Sequence, residues 1–113
     1  MITEIVDVAI VVSDAKKSLR WYTEVLGLEA KSTKGHWITV APSGSKTVLH
    51  LCEGDRLEPG NTGIALRADN LDKMYKELKA KGVKFPHPPG DDGWGVYAQF
   101  EDPDGNILWL NPA

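Results

Sequence analysis

Apolar residues fall into two rhythms along this chain, and the rhythms recur in the same order. "EIVDVAIVVSD" is rich in β-branched residues and alternates weakly, which predicts a buried strand over about residues 4–12. Asp14 then stands where an N-cap belongs. Leu19, Tyr22 and Leu26 follow at i, i+3 and i+7 with Ala15 on the same face, and Gly27 is placed to end a helix in a left-handed conformation. "HWITVAP" and "KTVLHLCE" read as two strands of a hairpin, turned by Pro42, Ser43 and Gly44. "LEPGNTG" reads as a loop.

The pattern then restarts. "TGIALRADNLDKMYKELKAKGVKF" predicts a strand, a cap at Asn70, a helix with Leu71, Met74, Tyr75 and Leu78 inward, and an end at Gly82. Val8 falls on Ile64 at an offset of 56, and Gly27 on Gly82 at 55. A repeat at this spacing marks two copies of a strand–helix–strands unit. "PHPPGDDGWG" reads as a Pro/Gly loop, and "VYAQFE" with "ILWL" as the last hairpin.

One helix per unit covers one face of a sheet. Alternation assigns Val8, Ile10, Val12, Leu49, Leu51, Ile64, Leu66, Val96, Ala98, Phe100, Leu108 and Leu110 to the helix side. The other side carries Asp7, Ala9, Val11, Trp37, Thr39, Val48, His50, Cys52, Gly63, Ala65, Arg67, Tyr97, Gln99, Ile107 and Trp109. The second set mixes aromatic, polar and small residues, as binding clefts do. A half-wet face or a subunit contact gives the same mixture.

Composition narrows the classes. The 113 residues suffice for one good core and not for two ordinary independent domains, so a single domain of two modules, about 1–57 and 62–113, is expected. A net charge of −3 with both signs interspersed offers no basic patch for nucleic acid. No apolar run approaches a membrane span, and acids at Glu4 and Asp7 do not fit a signal peptide. The single cysteine, Cys52, makes no intrachain disulfide, which suits a cytoplasmic location.

The stretches "DVAIVVSDAKKSLRWYTEVLGLE", "WITVAPSG", "GIALRADNLDKMYKELKAKGV" and "FEDPDGNILWL" together resemble the vicinal oxygen chelate superfamily. That group includes glyoxalase I, extradiol dioxygenases and bleomycin resistance proteins. The resemblance implies an α+β fold of paired βαβββ modules, with a mixed sheet curled into a cup and helices on its convex face. It also implies a homodimer, sometimes with exchanged modules.

Metalloenzymes of the family project His and Glu into the cup from the first and fourth strands of each module. Carried onto this chain, those places fall on Asp7, His50, Gly63 and Trp109. His50 is an ordinary ligand and Asp7 a possible one, whereas Gly63 and Trp109 offer no side-chain ligand. A catalytic ion takes about three protein ligands and an open position. The expectation is therefore no cofactor, with a divalent metal on His50 and Asp7 as the alternative.

The reading that follows is a metal-independent binding protein of the bleomycin-resistance type. It encloses a planar organic molecule among Trp109, Trp37 and Trp94, with His50, Asp7, Arg67, Tyr97 and Gln99 as further ligand-binding candidates. The tryptophans fill a collapsed cleft or an interface on the plainer reading, and Trp21 is assigned to packing. Two enzyme readings stay beside it: a lyase or dioxygenase with a degenerate metal site, and a metal-free isomerase or lyase using His50 and Asp7 for proton transfer. Arg67 suits a carboxylate or phosphate, or pairs with Glu101. Cys52 reads as a small filler, the lysines of the second helix as a solvated face, and "PHPPGDD" as a rim.

Overall fold

A computed structural model describes residues 1–113, which form two compact units, Met1–Glu58 and Pro59–Ala113. Each unit is a βαβββ module, so the chain is α+β as the repeat implies.

In the first unit, β1 (Asp7–Val12) leads into α1 (Ala15–Arg20), followed by β2 (Glu29–Lys34), β3 (Trp37–Ala41) and β4 (Val48–Glu53). The sheet order is β1-β4-β3-β2. β1 runs parallel to β4 in register from Asp7↔Val48 to Val12↔Glu53. β3 joins β4 antiparallel at Thr39↔His50 and Val40↔Leu49. Asp14 caps α1 by accepting from the Lys16 and Lys17 N–H groups at 3.1 Å each, and Glu53 accepts from Ala15 N–H at 2.9 Å. These two carboxylates satisfy three amides that a helix start leaves without partners.

The helix then widens into a π turn over Trp21–Val25. The Thr23 hydroxyl donates back to the carbonyl of Leu19 at 2.8 Å, the side-chain competition that bends helices. The bulge leaves Tyr22 fully buried and turns Leu26 half out, short of the burial its spacing predicts.

The second unit repeats the plan. β5 (Gly60–Ala68) precedes α2 (Leu71–Ala80), then β6 (His87–Asp91), β7 (Val96–Glu101) and β8 (Asn106–Pro112), in the order β5-β8-β7-β6. Asn70 caps α2 by accepting from Lys73 N–H at 3.1 Å. Leu71 and Leu78 are buried, while Met74 and Tyr75 are half-buried. Tyr75 meets Phe85 edge-on, and Phe85 leans toward the fully buried Phe100.

The helix-facing assignment holds at Ile10, Val12, Leu49, Leu51, Ala98, Phe100, Leu108 and Leu110, all buried. Ile64 and Leu66, on the edge strand β5, are only half-buried. Val96 departs from the expectation: it is exposed, opposite the edge residue Asp91 at the end of its strand.

"PHPPGDDGWG" is not wholly a loop. Its first half is β6, an outer strand paired to β7 at His87↔Gln99, Gly90↔Tyr97 and Asp91↔Val96. Pro88 and Pro89 lie where that register shifts. Proline has no N–H for a ladder and is tolerated at edges and bulges, so proline density disguised an edge strand.

Candidate functional site

In each unit one sheet face carries the helix, and the other carries the polar and aromatic side chains. On the first unit's free face, His50 sits in register with Ala9 on one side and Thr39 on the other. Its Nε2 lies 3.1 Å from the His36 carbonyl oxygen. A carbonyl only accepts, so Nε2 is the donor in this contact. Trp37 leans over the imidazole with centroids 4.4 Å apart and planes tilted 45°.

Asp7 is two residues from Ala9 on the same face, and no hydrogen bond joins it to His50. Pairing between β3 and β4 stops at Thr39↔His50, and beyond it lies a pocket of about 340 Å³ lined by His36, Ile38, His50, Cys52, Glu53 and Lys16, among others. Cys52 is a half-buried free thiol.

The second unit's free face is organised by rings. His87 on β6, Tyr97 on β7 and Trp109 on β8 form a continuous stack. His87 and Tyr97 have centroids 4.1 Å apart at 10°, and Tyr97 and Trp109 4.7 Å apart at 26°. The indole N–H of Trp109 donates to Asn61 Oδ1 at 2.7 Å, and the same oxygen accepts from Gly63 N–H at 3.0 Å. Asn61 and Gly63 belong to a bulge where β5 slips against β8, between Asn61↔Ile107 and Ala65↔Trp109. Gly63 has φ +71°, a backbone that other residues adopt only with strain.

Tyr97 donates to Asp92 Oδ2 at 2.7 Å, and His87 Nε2 is 3.7 Å from the same oxygen. The Asp92 hydrogen bond, helped by desolvation and the carboxylate charge, holds the Tyr97 phenol above its ordinary pKa. The phenol therefore stays a donor through neutral pH.

Among the other sequence candidates, Gln99 is half-buried in register with both His87 and Trp109. Arg67 is exposed, in register with Asn111, and forms no ion pair with Glu101 or any other acid. Trp94 is 88% exposed in the turn after β6, so it covers nothing in its own unit. Sequence reasoning missed Asn61, His87 and Asp92. The first was hidden in "LEPGNTG", the others in "PHPPGDD". An edge strand inferred opposite "VYAQFE" would have put His87 beside the aromatics.

The donor set does not fit a resident divalent ion. Within neither unit do three His, Cys, Asp or Glu side chains converge. Gly63 has no side chain to offer, and the indole of Trp109 has no lone pair for a metal.

The family model described as Glyoxalase/Bleomycin resistance protein/Dioxygenase superfamily matches residues 4–110. The uncharacterized protein YetH of Bacillus subtilis (strain 168) is 30% identical over 118 residues, covering 97% of this chain and 98% of its own. A superfamily member from Sphaerobacter thermophilus DSM 20745 shares 33% identity with a TM-score of 0.89, covering 99% of this chain and 98% of its own. TnmS3, an antibiotic binding protein from Streptomyces sp. CB03234, shares 33% identity with a TM-score of 0.87, over 98% of this chain and 96% of its own. With nearly its whole length matched, the chain belongs to the glyoxalase/bleomycin resistance protein/dioxygenase superfamily.

Proposed function

We propose that this protein is a metal-independent small-molecule binding protein that holds a planar organic ligand against its aromatic sheet face. The observation that carries this reading is Trp109. It stands at one of the places where the metalloenzymes would hold a ligating carboxylate, and it is fixed there by Asn61 and Tyr97. A fixed indole offers apolar, polarizable surface with little rotamer entropy left to lose on binding. The likeness to an antibiotic binding protein supports the ligand class, and Gly63 and Trp109, which bring no ligating side chain to two of the places the metalloenzymes use, support a site that works without an ion. A homodimer belongs to the same proposal; exposed Trp37, Trp94, Ile5 and Val6 are surface that a second copy would cover.

The test joins metal analysis to binding. Purified protein carries no stoichiometric metal, and Ni²⁺, Zn²⁺, Fe²⁺ or Mn²⁺ leaves its melting temperature unchanged. A panel of planar aromatic compounds is screened by tryptophan quenching. Trp109→Ala weakens the hits by about 1–3 kcal/mol, a tenfold to hundredfold rise in Kd. Trp21→Phe on α1 leaves affinity unchanged. Thermal stabilisation by a metal that His50→Ala abolishes would overturn the metal-free reading in favour of the lyase or dioxygenase alternative.

A further inference from the structure

The three rings of the second unit stand side by side across the sheet, so they spend their faces on one another. Tyr97 is covered on both sides, by His87 and by Trp109. The ladder crosses β6, β7 and β8, one ring per strand, and it stops there. The next strand, β5, puts Ala65 in register with Trp109, and Ala65 is exposed. Two residues earlier, Gly63 adds nothing, and a Cβ built on it meets no atom within 4 Å. The fourth rung is missing, and the ladder ends at Trp109.

We infer that a planar aromatic acid completes the ladder, lying against Trp109 above Ala65 with its carboxylate toward Arg67. This rests on the binding reading above and names the ligand class it takes. The rung-to-rung spacings of 4.1 and 4.7 Å are those of aromatic stacks, so a flat ring system continues them over a methyl-sized floor. The indole N–H is committed to Asn61, so Trp109 gives the ligand a π surface without a donor.

Charge comes from Arg67, two residues along β5 on the same face as Ala65 and without an acidic partner. A guanidinium matches a carboxylate with two parallel hydrogen bonds. The acids at the other end of the ladder are Asp91, the last residue of β6, and Asp92, which follows it. The Asp92 carboxylate reaches in to the Tyr97 hydroxyl on β7, two strands from β5; at about 4.8 Å per strand that is about 10 Å, still beyond the physiological screening length of about 8 Å. Their repulsion does not cancel the attraction of Arg67.

The probes are 2-naphthoate and its uncharged counterpart 2-naphthamide, titrated by calorimetry and tryptophan fluorescence. Naphthoate binds saturably and about tenfold more tightly than the amide, the worth of a charge-assisted bidentate contact at a wet site. Arg67→Gln brings the two probes level by weakening naphthoate alone. Ala65→Phe fills the rung and abolishes both while the melting temperature holds; Ala65→Leu does the same if the larger ring disturbs the edge strand. Binding that survives both Ala65 variants overturns the inference, as does a preference for the acid that persists in Arg67→Gln. Equal binding of both probes that Trp109→Ala weakens sinks the aromatic acid and leaves the broader reading standing. No saturable binding of either probe, or of the wider panel, sinks both.

Discussion

The two modules share a backbone plan and differ on one face. Each runs strand, helix and three strands, with the first strand parallel to the last. Their helix sides are interchangeable in kind: Ile10, Val12, Leu49 and Leu51 in one, Ala98, Phe100, Leu108 and Leu110 in the other, all buried. The opposite faces have gone separate ways. The first carries a lone Trp37–His50 contact, and the pocket where β3 and β4 part runs from His50 past Leu51 to the start of α1 at Asp14 and Ala15. The second is a closed ladder of three rings, with β7 and β8 paired at four positions from Ala98↔Leu110 to Glu101↔Ile107. Packing constrains one side of each sheet to aliphatic or aromatic bulk. The other side is free to vary, and that is where binding chemistry resides.

If the helix sides are equivalent, cutting into either core has a similar large cost. Phe100→Ala destabilises by about 3–5 kcal/mol and Leu51→Ala by about 2–5 kcal/mol, as deletions from packed cores do. Both positions are fully buried. Chemical denaturation measures them. A cost below the usual range at one position and not the other would show that only one module carries a tight core.

The turns before the last strand of each module sharpen the contrast at smaller scale. Asp102 is 4% exposed, and its carboxylate accepts from Asp104 N–H, Asn106 N–H and the Asn106 side-chain amide, each at 2.9 Å. Asp102→Ala removes that buried acceptor from all three and costs about 1–3 kcal/mol. In the first module the corresponding turn is held by exposed Ser45, whose hydroxyl donates to the Thr47 carbonyl at 3.1 Å. Ser45→Ala stays within about 0.5 kcal/mol, as exposed substitutions do. Equal effects at the two turns would contradict this ranking.

The plan itself was legible in the sequence because it follows from short-range chemistry. Asp14 and Asn70 cap where they were expected to, and the alternation in β1, β4, β7 and β8 sorts residues to their faces. The "DPDGN" turn gave away the last hairpin. The aromatic ladder was not legible, because stacking depends on which strand neighbours which. Tyr97 and Trp109 were candidates, but His87 joins them only through β6, and Pro88 and Pro89 erased the pattern of that strand. Asn61 became visible only with the register slip that brings it to the indole. The π turn after α1 likewise left no mark in the hydrophobic spacing.

The subtlest difference between the faces is a titration. In the second module Tyr97 donates to Asp92, and that bond is the leading cause of a phenol pKa raised above its ordinary value. The folded state favours the protonated phenol. The resulting stabilisation is complete below the unfolded value near 10 and is lost as pH rises through the higher folded value. Tyr97 is solvent-accessible, so the effect on global stability is small, and tyrosinate absorbance is the sensitive readout. Asp92→Ala removes the acceptor and the neighbouring charge, and the Tyr97 titration moves down toward its ordinary position. Tyr97→Phe deletes the transition and so identifies it among the three tyrosines of the chain. Because Tyr97 stacks on Trp109, its ionisation next to a carboxylate also disturbs the ladder and changes Trp109 fluorescence over the same pH interval. Trp37 in the other module leans on the His50 imidazole rather than on a phenol. A Tyr97 titration that Asp92→Ala leaves in place would mean the hydrogen bond does not govern the ring, and the ladder would then rest on stacking alone.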